Sequence, residues 1–419
     1  MRRGALVPAA AACAAAALLS GCPRPARPAH TELMMPEPFG ADEATPGVTP
    51  HPAPAKALPK PAAHLATTPP AGLIVHFFNV GQGDSILVKG PARSLLVDCG
   101  EEVFGKTEHF RDVAAGIGTI TGRSAVDYMV VTHFHYDHMG GSRLRNGVWG
   151  LLDLGVHVDH IVDRGNFFVG PPTVTGPGLG FLEDVDGWVK DKLVGERKLA
   201  HRGKDVIDLG PGVEVEIVAV NGNGVLEAEP ASKLDRCPAS ENDYSIGLVV
   251  RYGAFELFLG GDMGGVTTDR WFGPKCESYH DVESTVLSAV GNVEVMKANH
   301  HGSEYSSNPV FVGTLRPELT VASSGGAYHH PGKAFVERVS PWSPILVTGA
   351  VSADEWPAGP PMDMSVVGDV ELSVEVGGAA WWVAGERHLS YDDAAEAKGL
   401  DHPGGPGAGT PLSLAAAAR

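Results

Sequence analysis

Residues 130–141 read Val-Val-Thr-His-Phe-His-Tyr-Asp-His-Met-Gly-Gly, and His133, His135, Asp137 and His138 set an H-x-H-x-D-H pattern within them. Four metal-capable side chains in six residues are hard to explain as packing and point to a metal site. The preceding run, Val126 to Thr132, is β-branched and apolar and predicts a buried strand that ends at the first histidine. Side chains two apart on an extended backbone share a face, so His133 and His135 point one way. Asp137 and His138 are adjacent and diverge, which lets them reach a second ion. Gly140 and Gly141 follow where the backbone must turn tightly. A fold built on this segment has to deliver a strand end to an edge where further ligands arrive from elsewhere in the chain.

The chain has 419 residues, enough for one large or two ordinary domains, and its 43% hydrophobic fraction supports a sizeable core. The net charge of −18 argues against a protein that coats nucleic acid, because such binding rests on neutralising phosphates with Lys and Arg. It leaves open an enzyme that handles a phosphodiester with metal ions supplying the positive charge.

The ends read differently from the middle. Residues 1–22 carry Arg2 and Arg3, an Ala-rich apolar stretch too short for a comfortable membrane span, and then Leu19-Ser20-Gly21-Cys22. This resembles a bacterial lipobox. It predicts export, lipidation at Cys22 and anchoring at the cell envelope; Pro23 in place of Asp leans to the outer membrane. Residues 23–71 hold 13 prolines in 49 positions and few large apolar groups, so they read as an extended, disordered tether. Residues 391–419 read as a disordered tail, leaving 72–390 as the folded domain. Cys237 and Cys276 could pair across loops in an oxidising compartment, whereas Cys99, at a strand end, reads as a small buried residue.

Within 72–390, strands are predicted at 73–79, 86–89, 94–97, 126–132, 213–220, 245–252, 255–259, 293–298, 320–323, 370–376 and 380–383, with a helix near 110–120. Gly81 to Asp84 lacks the Lys-Ser/Thr ending of a phosphate-binding loop. Residues 142–241 read as long and irregular, and Gly/Pro-rich 166–180 reads as either a lid or a surface insertion. Asp98, Asp262, His300, His301 and the pair His329-His330 all follow apolar runs.

In this order and at these strand ends, Asp98, the 133–138 cluster, Asp262 and His301 resemble the metallo-β-lactamase superfamily. Val-Gly-Gln-Gly-Asp-Ser (80–85), Asp-Cys-Gly (98–100), Gly-Gly-Asp (260–262), His-His-Gly-Ser (300–303) and His-His-Pro (329–331) narrow the resemblance to the stand-alone ComEC-like subgroup. The resemblance covers roughly 72–390 and implies an α+β fold, a four-layer αββα sandwich with metals at one edge. It implies two divalent ions, Zn or Mn. His133 and His135 would hold the first, Asp137, His138 and His301 the second, and Asp262 would bridge them.

Asp98, His300 and Asp84 are expected behind these ligands, with Asp98 orienting one of them. The superfamily's third histidine on the first ion has no counterpart; the equivalent stretch is Glu241-Asn242-Asp243-Tyr244-Ser245, so Asn242 or Asp243 is expected to substitute, giving an oxygen-richer site. A hydroxide shared by the ions would be the nucleophile, with Asp137, His330 and Ser303 as further catalytic candidates.

The implied function is hydrolysis of a phosphodiester, either nucleic acid or a small molecule. A lactone, thioester or β-lactam hydrolase and a non-catalytic surface-binding lipoprotein are the alternatives. No residue pattern points to a protein partner.

Overall fold

The computed structural model describes residues 71–102, 106–169, 173–174, 176–226, 239–265 and 280–390. The export signal with Cys22, the tether up to residue 70, Cys237, Cys276 and the tail lie outside the described residues.

Two sheets stack face to face. The first runs, edge to edge, through Glu386–Leu389, Ala380–Val383, Val370–Glu375, Ala71–Phe77, Ile86–Lys89, Ser94–Val97, Ala125–Val131, His157–Asp163 and Val194–Leu199. Its last four strands are parallel and the others antiparallel. The second runs through Met364–Val366, Ile345–Val347, Leu319–Ala322, Val295–Lys297, Phe255–Leu259, Gly247–Tyr252 and Val213–Ala219. Its first five strands are parallel.

The central strands are buried on both faces, which is why they read as nearly unbroken apolar runs. Alternation still sorts their side chains. Tyr128 and Val130 join Leu248, Val250, Leu257 and Leu259 in the core between the sheets. Met129 and Val131 face outward onto the helices Phe110–Thr121, Val148–Asp153 and Gly176–Lys190. Val249 and Phe258 face outward onto Pro309–Leu315 and Lys333–Val339. Helix, sheet, sheet, helix is the expected four-layer αββα sandwich.

The reading of 142–241 as irregular was wrong. Besides the expected strand Val213–Ala219, that stretch contains two helices, Val148–Asp153 and Gly176–Lys190, and two further strands, His157–Asp163 and Val194–Leu199. Its Gly-Pro-Gly-Leu-Gly opening hid a helix whose Phe181, Val185 and Trp188 lie on one buried stripe. Tertiary burial of three large side chains outweighs the poor helix propensity of glycine.

Parallel strands end side by side, so the segments following Ser94–Val97, Ala125–Val131, Phe255–Leu259, Val295–Lys297 and Leu319–Ala322 meet along one edge of the sandwich. Buried Glu283 braces that edge. Its carboxylate accepts from Asn299 Nδ2 at 2.7 Å, from the Ser307 N–H at 2.5 Å and from the Asn308 N–H at 2.7 Å. Burial pushes its pKa up to about 7 against those three donors. Glu283→Ala strands three buried donors and is expected to cost at least ~2 kcal/mol, given ~1–3 kcal/mol for a buried polar group left unmatched. Urea unfolding followed by circular dichroism checks this.

Candidate metal centre

Asp98 sits immediately after its strand with φ of 61°, a left-handed conformation uncommon outside glycine. The bend aims its carboxylate sideways at the neighbouring strand end. Oδ1 accepts from the Thr132 N–H at 2.8 Å; Oδ2 accepts from the Thr132 hydroxyl at 2.7 Å and from His138 Nδ1 at 2.7 Å. Nδ1 thereby donates to Asp98, and Nε2 faces the site. His301 is fixed likewise: Nδ1 donates to the Ser323 carbonyl at 2.7 Å, and Nε2 faces inward.

These two Nε2 atoms and two carboxylate oxygens converge. His138 Nε2 and His301 Nε2 are 3.3 Å apart. Asp262 Oδ2 is 3.2 Å from the first and 3.3 Å from the second, and Asp137 Oδ2 is 3.5 Å from His301 Nε2. A tetrahedral ion with ligands at ~2.0–2.1 Å has ligand–ligand edges of ~3.3–3.4 Å. The donor set therefore fits a small divalent cation.

The other half of the cluster gathers beside it. His133 Nε2 lies 3.1 Å from His135 Nδ1 and 3.9 Å from the same Asp262 Oδ2. His133 is fully buried; its Nδ1 is 3.1 Å from the Thr132 hydroxyl and 3.4 Å from Ser245 Oγ, which also accepts from the Asp262 N–H. One carboxylate oxygen thus stands between two donor pairs.

Of the two candidates to replace the absent histidine, Asp243 is committed elsewhere: its carboxylate accepts from the Ser240 and His280 N–H groups and meets His280 Nδ1 at 3.0 Å. That expectation is corrected, because a carboxylate saturated by a turn has no oxygen turned to the site. Asn242 instead lies with Nδ2 3.3 Å from His300 Nε2, and its Oδ1 is buried with no hydrogen-bond partner among the described residues. Spacing could not separate two adjacent residues that point to opposite sides of a turn. His300 itself comes within 3.8 Å of Asp262 Oδ2.

Asp84, His138, Asp262 and His301 each offer an atom within 4.8 Å of the others. Asp84 nevertheless stands behind the ligands, as expected, because it approaches His138 and His301 from their Nδ1 sides, 3.7 Å from each. Its close partner is a residue the sequence reading passed over. Lys297, fully buried, places Nζ 2.5 Å from Asp84 Oδ2, 2.8 Å from the Gly261 carbonyl and 3.5 Å from Asp262 Oδ1. Burial opposes its charge, but Asp84 and Asp262 outweigh that and raise its pKa. The only available signal was a lysine in an otherwise apolar strand.

Charge in the cluster follows from burial and proximity. Burial works against the protonated form of His301, yet Asp262, Asp137 and Asp84 push its pKa up to about 9. His138 is likewise raised, against burial, by Asp262 and Asp98. Burial and then His138 push His133 down. His330 is pushed down by burial and by His300 and His301, so its imidazole is neutral. It stands over the cluster, its ring 5.3 Å from that of His300 and 6.3 Å from that of His301. Ser303 is buried; its Oγ accepts from the Tyr305 N–H at 3.2 Å, so the structure gives it a part in the turn after His301.

The glycines of the flanking motifs serve this geometry. A Cβ on Gly83 or Gly100 would lie 2.4 Å or 1.9 Å from the Asp137 carbonyl oxygen, so only glycine lets both loops close on the ligand turn. A second buried group, also missed from sequence, reaches the turn from the far side: Glu241 Oε1 accepts from the Phe134 N–H at 2.9 Å.

The model of the metallo-beta-lactamase superfamily matches residues 78–226. Among curated relatives, the chain is 25% identical over 279 residues to ComE operon protein 3 of Bacillus subtilis (strain 168), covering 63% of this chain and 30% of that protein. It is 26% identical over 269 residues to Competence protein ComA of Neisseria gonorrhoeae, covering 63% and 29%. The chain thus spans less than a third of the length of these relatives. Among solved structures, the metallo-beta-lactamase fold protein YhfI from Bacillus subtilis aligns with a TM-score of 0.38 at 11% identity, over 67% of this chain and 97% of that one.

A divalent ion entering this centre has to displace the protons that the carboxylates hold on His138 and His301. Below about 9 His301 carries such a proton, so apparent metal affinity is expected to rise with pH, about tenfold per unit for each proton displaced, and to level off above that value. Titrations between pH 6.5 and 9.5, with proton release read in weak buffer, check the slope. Asp98→Asn removes the carboxylate that fixes His138 and is expected to weaken the ion held by His138 and His301 by roughly 10–100-fold.

Proposed function

We propose that the chain, whose residues 78–226 match the model of the metallo-beta-lactamase superfamily, is a two-metal phosphodiesterase. The observation that carries the reading is Asp262 Oδ2, 3.2 and 3.3 Å from the second donor set and 3.9 Å from His133 Nε2 of the first. His138, His301 and Asp137 would hold one ion, His133 and His135 the other with Asn242 Oδ1 beside them, and Asp262 would serve both. Two divalent ions supply Lewis acidity, a nucleophile from water at neutral pH and neutralisation of charge developing on phosphoryl oxygens. Zinc and manganese both suit a set that mixes imidazole with carboxylate and amide oxygen.

The protein's own groups do the rest. Asp98, Thr132 and the Ser323 carbonyl hold the imidazoles in one tautomer and orientation. Lys297 pairs with Asp84 at 2.5 Å and lies 3.5 Å from Asp262 Oδ1, so its charge offsets both buried carboxylates. His330, neutral and facing the cluster, offers an N–H to a substrate oxygen or a leaving group. Among the described residues, the buried hydroxyls of Thr132 and Ser245 stand behind His133 on its Nδ1 side and are also engaged by Asp98 and the Asp262 N–H, so attack by water is the chemistry that fits. The substrate class favoured is a small phosphodiester, since a net charge of −18 repels long polyanions. An exported, lipid-anchored location extends the proposal from residues 1–22.

Turnover of bis-p-nitrophenyl phosphate by the full chain, reconstituted with Mn²⁺ or Zn²⁺ and abolished by a chelator, is the expected result. His135→Ala is expected to lose at least a hundredfold in kcat. His330→Ala is expected to lose roughly 10²-fold in kcat with metal content unchanged, in keeping with a proton donor or hydrogen-bonding group. Hydrolysis of nitrocefin or a lactone with no phosphodiester turnover would overturn the assignment in favour of another superfamily hydrolase; stoichiometric metal with no turnover of any ester would favour a binding protein.

A further inference from the structure

One buried ion pair lies outside the ligand set yet reaches it. Arg164, directly after the strand His157–Asp163, has a side chain with no exposure, and that of Glu241 has 1%. The two meet through a double contact: Nε donates to Oε1 at 2.9 Å and Nη2 to Oε2 at 2.7 Å. The guanidinium is also enclosed by rings, its Cζ 4.5 Å from the Phe134 centroid, 4.6 Å from Tyr244 and 4.9 Å from Phe168. Arg164 Nη1 further donates to the Phe167 carbonyl at 2.8 Å, and the Thr173 hydroxyl donates to Glu241 Oε2 at 2.5 Å. A full set of polar partners and three aromatic faces is an expensive environment to assemble for a surface-distant charge pair.

Its connections show where that investment goes. Glu241 Oε1 accepts from the Phe134 N–H, in the peptide group that joins His133 to Phe134. The ring of the same Phe134 lies against the guanidinium. The next residue after Glu241 is Asn242, whose buried Oδ1 has no hydrogen-bond partner among the described residues. The pair therefore ties the H-x-H turn of one sheet to the Glu241–Tyr244 turn that leads into the other, on both sides of the first donor set. The second donor set needs none of this, since Asp98 and the Ser323 carbonyl hold its two histidines.

We propose that Arg164 and Glu241 are positioning residues for the first metal: the pair fixes the backbone between His133 and His135, and the approach of Asn242, so that this donor set captures its ion. The inference rests on the two-metal reading above. It predicts unequal damage. Weakening the pair should cost affinity for one ion of two and spare the other.

The test is a Co²⁺ titration of the full chain, with visible spectra and stoichiometry measured well below the unfolding temperature. Wild type is expected to take up two ions. Glu241→Gln is expected to hold one ion with unchanged affinity and to bind the other at least tenfold more weakly, with an altered absorption band. A single substitution leaves Arg164 buried without its partner and can unfold the chain. The double variant Arg164→Met with Glu241→Leu removes both charges together and leaves no unpaired ion. It is expected to fold and to show the same loss confined to one ion.

Two ions bound with wild-type affinity and spectrum in both variants would overturn the inference. So would an equal weakening of both ions, which is the mark of a general structural role. Fewer than two ions in wild type would instead overturn the two-metal reading, and this inference with it.

Discussion

Four carboxylates, Asp84, Asp98, Asp137 and Asp262, are brought to one edge of the sandwich, three of them no more than 1% exposed. Like charges so close and so far from water cannot all remain ionised without cations among them. Everything else at the edge answers that demand. Lys297 supplies one fixed positive charge between Asp84 and Asp262. His138 and His301 are driven to hold protons against the opposition of burial. Those protons occupy the role that divalent ions fill better, since one ion neutralises two charges and accepts four lone pairs. Binding energy at such a centre is therefore also folding energy.

The geometry that makes this possible is shared between two sheets. The 133–138 cluster and Asp98 come from the first sheet; Asp262, His301 and His330 come from the second. Neither sheet has a complete donor set. The packing of Tyr128 and Val130 against residues such as Leu248 and Leu257 therefore sets the ligand distances as directly as the ligands do. Close-packed interiors resist sliding, so a site split between two layers inherits their rigidity. The left-handed conformations of Asp98, His300 and His301 are local strain of the kind held at functional sites.

Much of this centre was readable from sequence because ligation needs particular side chains, and those were dense after strand-like runs. The strands were readable for a similar reason: doubly buried strands are apolar throughout. What escaped reading was held in place by contacts remote in sequence. Gly176–Lys190 looked like loop until Phe181, Val185 and Trp188 were seen on one stripe. Asn242 and Asp243 could not be told apart by spacing, since only the fold shows that Asp243 closes on Ser240 and His280. Lys297, Arg164 and Glu241 carry no metal-binding signature. They look like ordinary charges, and only burial shows that each is compensated by a partner at least 35 residues away in the chain.

The two halves of the centre are built to different standards. His138 and His301 are each fixed by a strong acceptor at 2.7 Å, and their inward nitrogens already stand at the spacing of tetrahedral ligands. His133 has a hydroxyl at 3.1 Å and a second at 3.4 Å behind it, both weaker than a carboxylate. His135 is only partly buried, and the residue nearest in place of a third imidazole is the amide of Asn242, 3.3 Å from His300 Nε2. A preformed set loses little freedom on binding, while a looser set must be ordered by its ion or by its surroundings. Filling should then be ordered, with the His138–His301 half taking an ion first. On the two-metal reading, Asp262 Oδ2, which lies 3.2 and 3.3 Å from that half and 3.9 Å from His133 Nε2, would be held by that ion. The first ion would so prepare the second site, and cooperation between the ions would be a consequence of one shared carboxylate.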